Sequence, residues 1–310
     1  MAVVGTVGRG TAWPCSDVDL LALVDESSGI DAEALLIEEE DERNASLYRR
    51  GVINPTEIRH WLFTAEHVCR AIEADDNAFY RSLEHQHWLG TVLKAQGGRV
   101  LHDPDGSLAR FIARLERVFA TERFRQLWLR KYVSYCQEAL RAAAAHADAG
   151  RWAAASSETL RIARQRLPCT AYAMWHRLPE SGSRAVSRFL SAAAEEGDAE
   201  TAESYLIAAR LEADAVAERF ASVPPAGKKE RNVVSAIRRA SGEAIDELSV
   251  TRDFLNVLLW RPVVRDHGDG PRPAWTGVTD DADQVRRQLE AIRSLVARFS
   301  GELTDCPADT

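Results

Sequence analysis

Hydrophobic and polar positions divide the chain into two textures. Up to about residue 105, short apolar runs alternate with longer amphipathic stretches. Ala2-Val3-Val4 opens the chain as a strand, and residues 17–24 (DVDLLALV) read as a buried strand bounded by Pro14 and Asp25. Residues 57–63 (EIRHWLF), rich in branched and aromatic side chains, read as a third strand. Residues 99–102 read as a short fourth strand, ahead of the turn Asp103-Pro104-Asp105-Gly106. Helices are expected over 32–50, from Thr64 as N-cap to 74, and over 76–96, where Gly97-Gly98 stops the chain.

Beyond Gly106 the helical period takes over. The spacing predicts helices over 108–120, 121–147, 153–174, 184–194, 199–222 and 228–259, a Pro/Gly/Arg-rich loop over 261–277, and a last helix over 282–299. No repeat period is visible. The pattern therefore predicts an α/β (α+β) amino-terminal domain with a short mixed sheet, followed by an all-α helical-bundle domain. The expected divisions are 1–105, 106–222 and a carboxy-terminal helical extension over 223–310.

Charge follows the same break. The 310 residues carry a net charge of −8. Residues 1–105 hold 9 basic and 19 acidic residues, whereas the remaining residues hold 30 and 28, so the acidic excess lies entirely in the first third. Half of that excess is the run from Glu38 to Glu42, which reads as a solvated helix face. Without a basic stripe, nucleic acid is a disfavoured partner. The five cysteines are odd in number and scattered, with neither a disulfide pattern nor metal-ligand spacing. With no signal peptide and no apolar run long enough to span a bilayer, the expected location is the cytoplasm and no membrane partner is expected.

Candidate chemistry concentrates near the amino terminus. Gly5-Thr6-Val7-Gly8-Arg9-Gly10 is a glycine-punctuated turn between a strand and a short helix. Backbone N–H groups at such a turn, with the Thr6 hydroxyl, make an anion site, Gly5 admits a close approach, and Arg9 neutralises phosphate or pins the turn. Asp17 and Asp19 stand at i and i+2 on the next strand, so alternation puts both carboxylates on one face. Two carboxylates beside an anion site suit Mg²⁺ bridging protein and phosphates. A pair of such ions clamps the oxygens of an in-line displacement.

The order Gly5-Thr6, Arg9-Gly10, then Ser16-Asp17-Val18-Asp19-Leu20 resembles the signature of the polymerase-beta-like nucleotidyltransferase superfamily. Thr6 stands where that family usually has Ser, which keeps the hydroxyl. Looser likeness to the kanamycin nucleotidyltransferase-like (aminoglycoside and small-molecule) branch runs through Gly98–Gly106, Gly150-Arg151-Trp152 and residues 160–190, so that it covers roughly residues 1–220. Members usually carry a helix before the first strand, whereas this chain opens directly on it.

The resemblance implies a Mg²⁺-dependent enzyme, with two ions, that transfers a nucleoside monophosphate, AMP from ATP, to a small-molecule hydroxyl and releases pyrophosphate. It implies Gly5, Thr6, Arg9 and Ser16 as nucleotide-binding residues and Asp17 and Asp19 as metal ligands. The family's third acid matches Glu57, as metal ligand or as general base on the acceptor hydroxyl. A structural pair between Glu57 and Arg59 is the alternative. A protein hydroxyl as acceptor, or a non-catalytic nucleotide-binding module of the same fold, stay open.

Other groups are weaker. His85 and His87 sit two apart on an expected helix and do not share a face. His102 to Gly106 reads as a turn, and His267-Gly268-Asp269-Gly270 as a surface loop. The tryptophans, among them Trp128, Trp152 and Trp275, are expected in cores.

Overall fold

A computed structural model describes residues 1–10, 18–24, 38, 42–43, 46, 56–57, 62–83, 93–178, 185–223, 246–258 and 274–303. The sheet lies at the amino-terminal end. Strand β1 (Ala2–Val4) runs into a single-turn helix α1 (Gly5–Gly8), and β2 spans Val18–Val24. Strand β1 pairs antiparallel with β2, with Val4 opposite Asp19, and on its other side with β5 (Arg99–Val100), Val3 facing Arg99. Two short segments, β3 (Thr56–Glu57) and β4 (Leu62–Thr64), both lie parallel to β2. The sheet is mixed, in the order β3-β2-β1-β5 with β4 also on β2. The single strand expected over 57–63 is thus described at its two ends, and residues 58–61 lie outside the described residues.

Leu20, Leu21 and Ala22 are consecutive and all buried, the mark of a strand covered on both faces. The longer helices described in this unit are α2 (Ala65–Glu73), α3 (Asp76–Leu83) and α4 (Ser107–Phe119). Helix α4 buries Leu108, Phe111, Ile112, Leu115, Val118 and Phe119, a stripe of helical period, and packs on α2. Its start is the expected turn. Gly106 takes φ +70°, and Asp103 accepts from the backbone N–H groups of Leu108 and Ala109 at 3.1 and 2.8 Å. From within α4, Arg114 donates to the Ile72 carbonyl at 2.6 Å and to Asp76 at 3.1 Å, tying the end of α2 to the start of α3. Of the acidic run, Glu38 and Glu42 are described and exposed.

The chain packs as two compact units, Met1–Phe124 and Arg125–Thr310. The change of texture at Gly106 therefore marks a helix cap inside the first unit. The apolar stripe of α4 has its partner in α2, and that packing, not composition, sets where the unit ends. The line between units falls within α5 (Glu122–Asp148).

The second unit is helical throughout its described residues. Helix α6 (Trp152–Arg161), a π-helical turn (Ile162–Arg166) and α7 (Leu167–Met174) follow without a break, matching the one long helix expected there. Next come α8 (Ala185–Glu195), α9 (Ala199–Ala209), α10 (Ala213–Ala221), α11 (Glu247–Leu258) and α12 (Ala282–Gly301). Helix α12 packs on α9 and α6, and α11 on α8 and α10. The helix expected over 199–222 is two helices. Arg210 takes φ +52° and caps α9, and α10 starts three residues later. The reason is tertiary. Buried Arg210 donates to the Gly277 carbonyl and to Glu218, and these bonds hold the break open. Of the helix expected over 228–259, residues 228–245 and 259 lie outside the described residues, as do His85, His87 and residues 267–270. Trp128 and Trp275 are buried as expected of core residues. No helix among the described residues is long and apolar enough to cross a membrane.

Candidate functional site

The end of β1 sets the geometry. Gly5 follows it at φ +67°, a backbone conformation that side chains with a Cβ disfavour. A Cβ at this position would lie 2.2 Å from Asp19 Oδ2, so the carboxylate occupies the space that the missing side chain leaves. Register explains the approach. Asp19 is the residue of β2 opposite Val4, and the turn begins one residue later. Asp19 is 2 % exposed, and Gly5 and Thr6 are buried beside it. The backbone N–H groups of Arg9 and Gly10 close the turn onto the carbonyls of Gly5 and Val7.

A second turn docks on the first. Because β5 is antiparallel to β1, its first residue lies next to the end of β1, and the residues before Arg99 reach the Gly5 turn. A Cβ on Gly97 would come within 2.8 Å of Arg9 Cγ, so the Arg9 stem lies across the Gly97 backbone. A Cβ on Gly8 would meet the Val3 carbonyl at 2.5 Å and the Gly98 Cα at 3.4 Å. Gly97-Gly98, which the pattern marks only as a helix stop, is therefore also a contact surface for this turn.

That docking carries Lys94 to Asp19. Its Nζ donates to Asp19 Oδ2 at 2.9 Å. The Lys94 side chain is 25 % exposed, whereas the Asp19 side chain is enclosed at 2 %. Sequence reasoning does not find this lysine. It stands 75 positions from its partner, and nothing in the local spacing singles it out.

The structure brings Gly5, Thr6, Arg9 and Asp19 together around one turn. Glu57 stands at the register position beside Asp19 on the adjacent parallel strand, about 4.8 Å away across the sheet. It is described by its backbone alone. Asp17 and Ser16 lie outside the described residues. Among the expected carboxylates, Asp19 is thus the one whose side chain is described. Its chemistry fits a hard cation, since an enclosed carboxylate needs a compensating positive charge and already holds one on an oxygen. His102 bonds the amino terminus through its backbone, whereas Asp103 and Asp105 serve the α4 cap, Asp105 accepting from both the N–H and the hydroxyl of Ser107.

No protein-family model, curated protein or solved structure matches this chain.

Proposed function

We propose that the chain is a Mg²⁺-dependent nucleotidyltransferase of the polymerase-beta-like type. It transfers a nucleoside monophosphate, AMP from ATP, to a hydroxyl of a small molecule and releases pyrophosphate. The observation that carries this reading is the buried Asp19 carboxylate packed against the left-handed Gly5 turn, with a second acid, Glu57, at the adjacent register position. A glycine turn beside an acid-bearing strand sets an anion site next to a metal-binding carboxylate, and in-line phosphoryl displacement depends on both.

Asp17, Asp19 and Glu57 would hold the metal, two ions in the full site. When bound, the metal neutralises phosphate charge and favours the acceptor oxygen as nucleophile. The chain's own part is binding and orientation. Gly5 lets the turn close directly onto the Asp19 carboxylate, and Thr6 with Ser16 offers hydroxyl donors. Arg9, braced across Gly97, supplies positive charge to the leaving pyrophosphate. The acceptor hydroxyl attacks the α-phosphorus. The bond to the β-phosphate oxygen breaks, and Glu57 takes the hydroxyl proton as general base. The acidic first third favours a cationic acceptor such as an amino sugar.

The test is pyrophosphate release from four nucleotides against a panel of amino sugars and other small alcohols with Mg²⁺. Turnover is expected with one nucleotide preferred. Asp19→Asn should cut it by about 10³-fold or more while the circular dichroism spectrum is kept. Equal turnover in Asp19→Asn overturns the assignment.

A further inference from the structure

The Lys94–Asp19 pair is the feature of this site that the proposed reaction leaves unexplained. A metal-binding carboxylate must present its oxygens to the ion, yet one oxygen of Asp19 already accepts from an ammonium at 2.9 Å. One unit positive charge and one divalent ion cannot share so small a space without strong repulsion. The residue type matters as well. The chain has 35 arginines and only four lysines, and here it places a lysine. An ammonium is a compact point charge on a flexible four-carbon stem, closer to a metal ion in shape than a planar guanidinium. Its partial exposure lets it leave without unburying the fold, whereas Asp19 stays enclosed against Gly5. The same segment lays Gly97 under Arg9, so the ammonium starts within the docked pair of turns that would face the triphosphate.

We propose that Lys94 is a resident counterion of Asp19, which holds the carboxylate in place while no divalent ion is bound and competes with that ion for it. This rests on the reading of Asp19 as a metal-binding carboxylate. In this arrangement metal alone binds weakly. Metal with a nucleoside triphosphate binds well, because the phosphate oxygens offer the displaced ammonium a new partner. Lys94 is thus a positioning residue that couples metal loading to nucleotide loading and disfavours a metal-loaded site without substrate.

Mn²⁺ binding to the full chain, followed by the electron paramagnetic resonance signal of free Mn²⁺, tests this with and without a non-hydrolysable ATP analogue. Lys94→Met should bind Mn²⁺ about tenfold more tightly than the unaltered chain without nucleotide, and the difference should shrink with the analogue present. Lys94→Arg, which keeps the charge, should stay close to the unaltered chain. If Lys94→Met is folded and binds Mn²⁺ no better than the unaltered chain, the ammonium is a structural tie and the proposal fails, while the metal reading stands. If the unaltered chain binds Mn²⁺ no better than Asp19→Asn under either condition, the metal reading itself fails and takes this proposal with it. A measurement on the unaltered chain guards against a misfolded variant. Saturating Mg²⁺ should increase acetylation of Lys94 relative to the other lysines, read by mass spectrometry, and unchanged acetylation overturns the exchange.

Discussion

In the first unit the most deeply enclosed of the described charges is a carboxylate, Asp19, and the group that neutralises it is the ammonium of a partly exposed lysine. In the second unit the most deeply enclosed of the described charges is a guanidinium, Arg219, with 0 % exposure, and its acceptors are backbone carbonyls of Ala209, Arg210 and Trp275. Burial, and then the positive charge of Arg210, push the Arg219 pKa down to about 9, so the fork remains charged at neutral pH at an electrostatic cost. The difference separates two uses of a buried ion. A side-chain partner that can swing away leaves its carboxylate available to something else. Three carbonyls held by secondary structure cannot leave, and they turn the guanidinium into a fastener.

What Arg219 fastens is visible in its partners. It joins the end of α9 to the short 3₁₀ turn Ala274–Thr276, and a Cβ on Gly277 would meet its Cζ at 3.0 Å. Arg164 donates to the Thr276 carbonyl at 3.0 Å and Arg210 to that of Gly277 at 3.4 Å, so three arginines hold one turn. Elsewhere in this unit buried polar groups are equally committed. Asp198 accepts from Trp175, Thr201 and Arg298, and Gln288 donates to the Ala208 carbonyl. Burial opposes ionisation of Asp198, but its hydrogen bonds from Arg298, Trp175 and Thr201 outweigh that and hold its pKa below the ordinary carboxylate value.

If Arg219 is a fastener, removing it should damage stability more than any change at the first unit's site. Arg219→Met is expected to cost roughly 4 kcal/mol, because carbonyls left without a donor inside the fold carry their full desolvation penalty. Urea unfolding followed by circular dichroism measures it, and a loss below about 1 kcal/mol would make the two buried ions alike. In the first unit, Gly5→Ala should cost about 3 kcal/mol through the positive φ and the collision with Asp19. It should also abolish pyrophosphate release under conditions where the variant is folded. Retained turnover would detach the Gly5 turn from the site.

The smallest effect concerns the thiols. Cys69, on α2, is half-buried, whereas burial raises the Cys136 thiol of α5 from 9.0 to about 11, against the smaller opposing effects of a Thr170 hydrogen bond and Arg166. A raised folded-state pKa means that the stabilisation is complete below pH 9 and is lost as pH rises through about 11. That loss should be at most about 2.7 kcal/mol and should vanish in Cys136→Ala. Thiol labelling at pH 8, mapped by peptide mass, should modify Cys69 well before Cys136. The reverse order would place the looser packing in the helical unit.

Helices were the most legible part of the chain. Expected and observed ends of α4, α5, α8 and α12 agree within two residues, because a stripe of Leu, Ile, Val and Phe at helical spacing announces both the element and its buried face. The break at Arg210 was not legible, since Ala, Leu and Glu on both sides favour one continuous helix and only the bonds to Gly277 and Glu218 oppose it. Strand β2 was announced by its apolar run. That β3 and β4 both run parallel to β2 was not, because strand direction is set by pairing across the sheet.

The sequence by itself determined a sheet-bearing first part, a helical remainder, and a glycine turn followed by an acid on the next strand. These are local facts, carried by period, by turn chemistry and by spacing along a few residues. Only the tertiary structure decided that the first unit extends to Phe124, that Gly97 braces Arg9, and that Lys94 meets Asp19. The physical reason is the antiparallel register of β5 on β1. It delivers residues 94–98 to a turn formed some ninety residues earlier, and no local preference encodes a contact made across that distance.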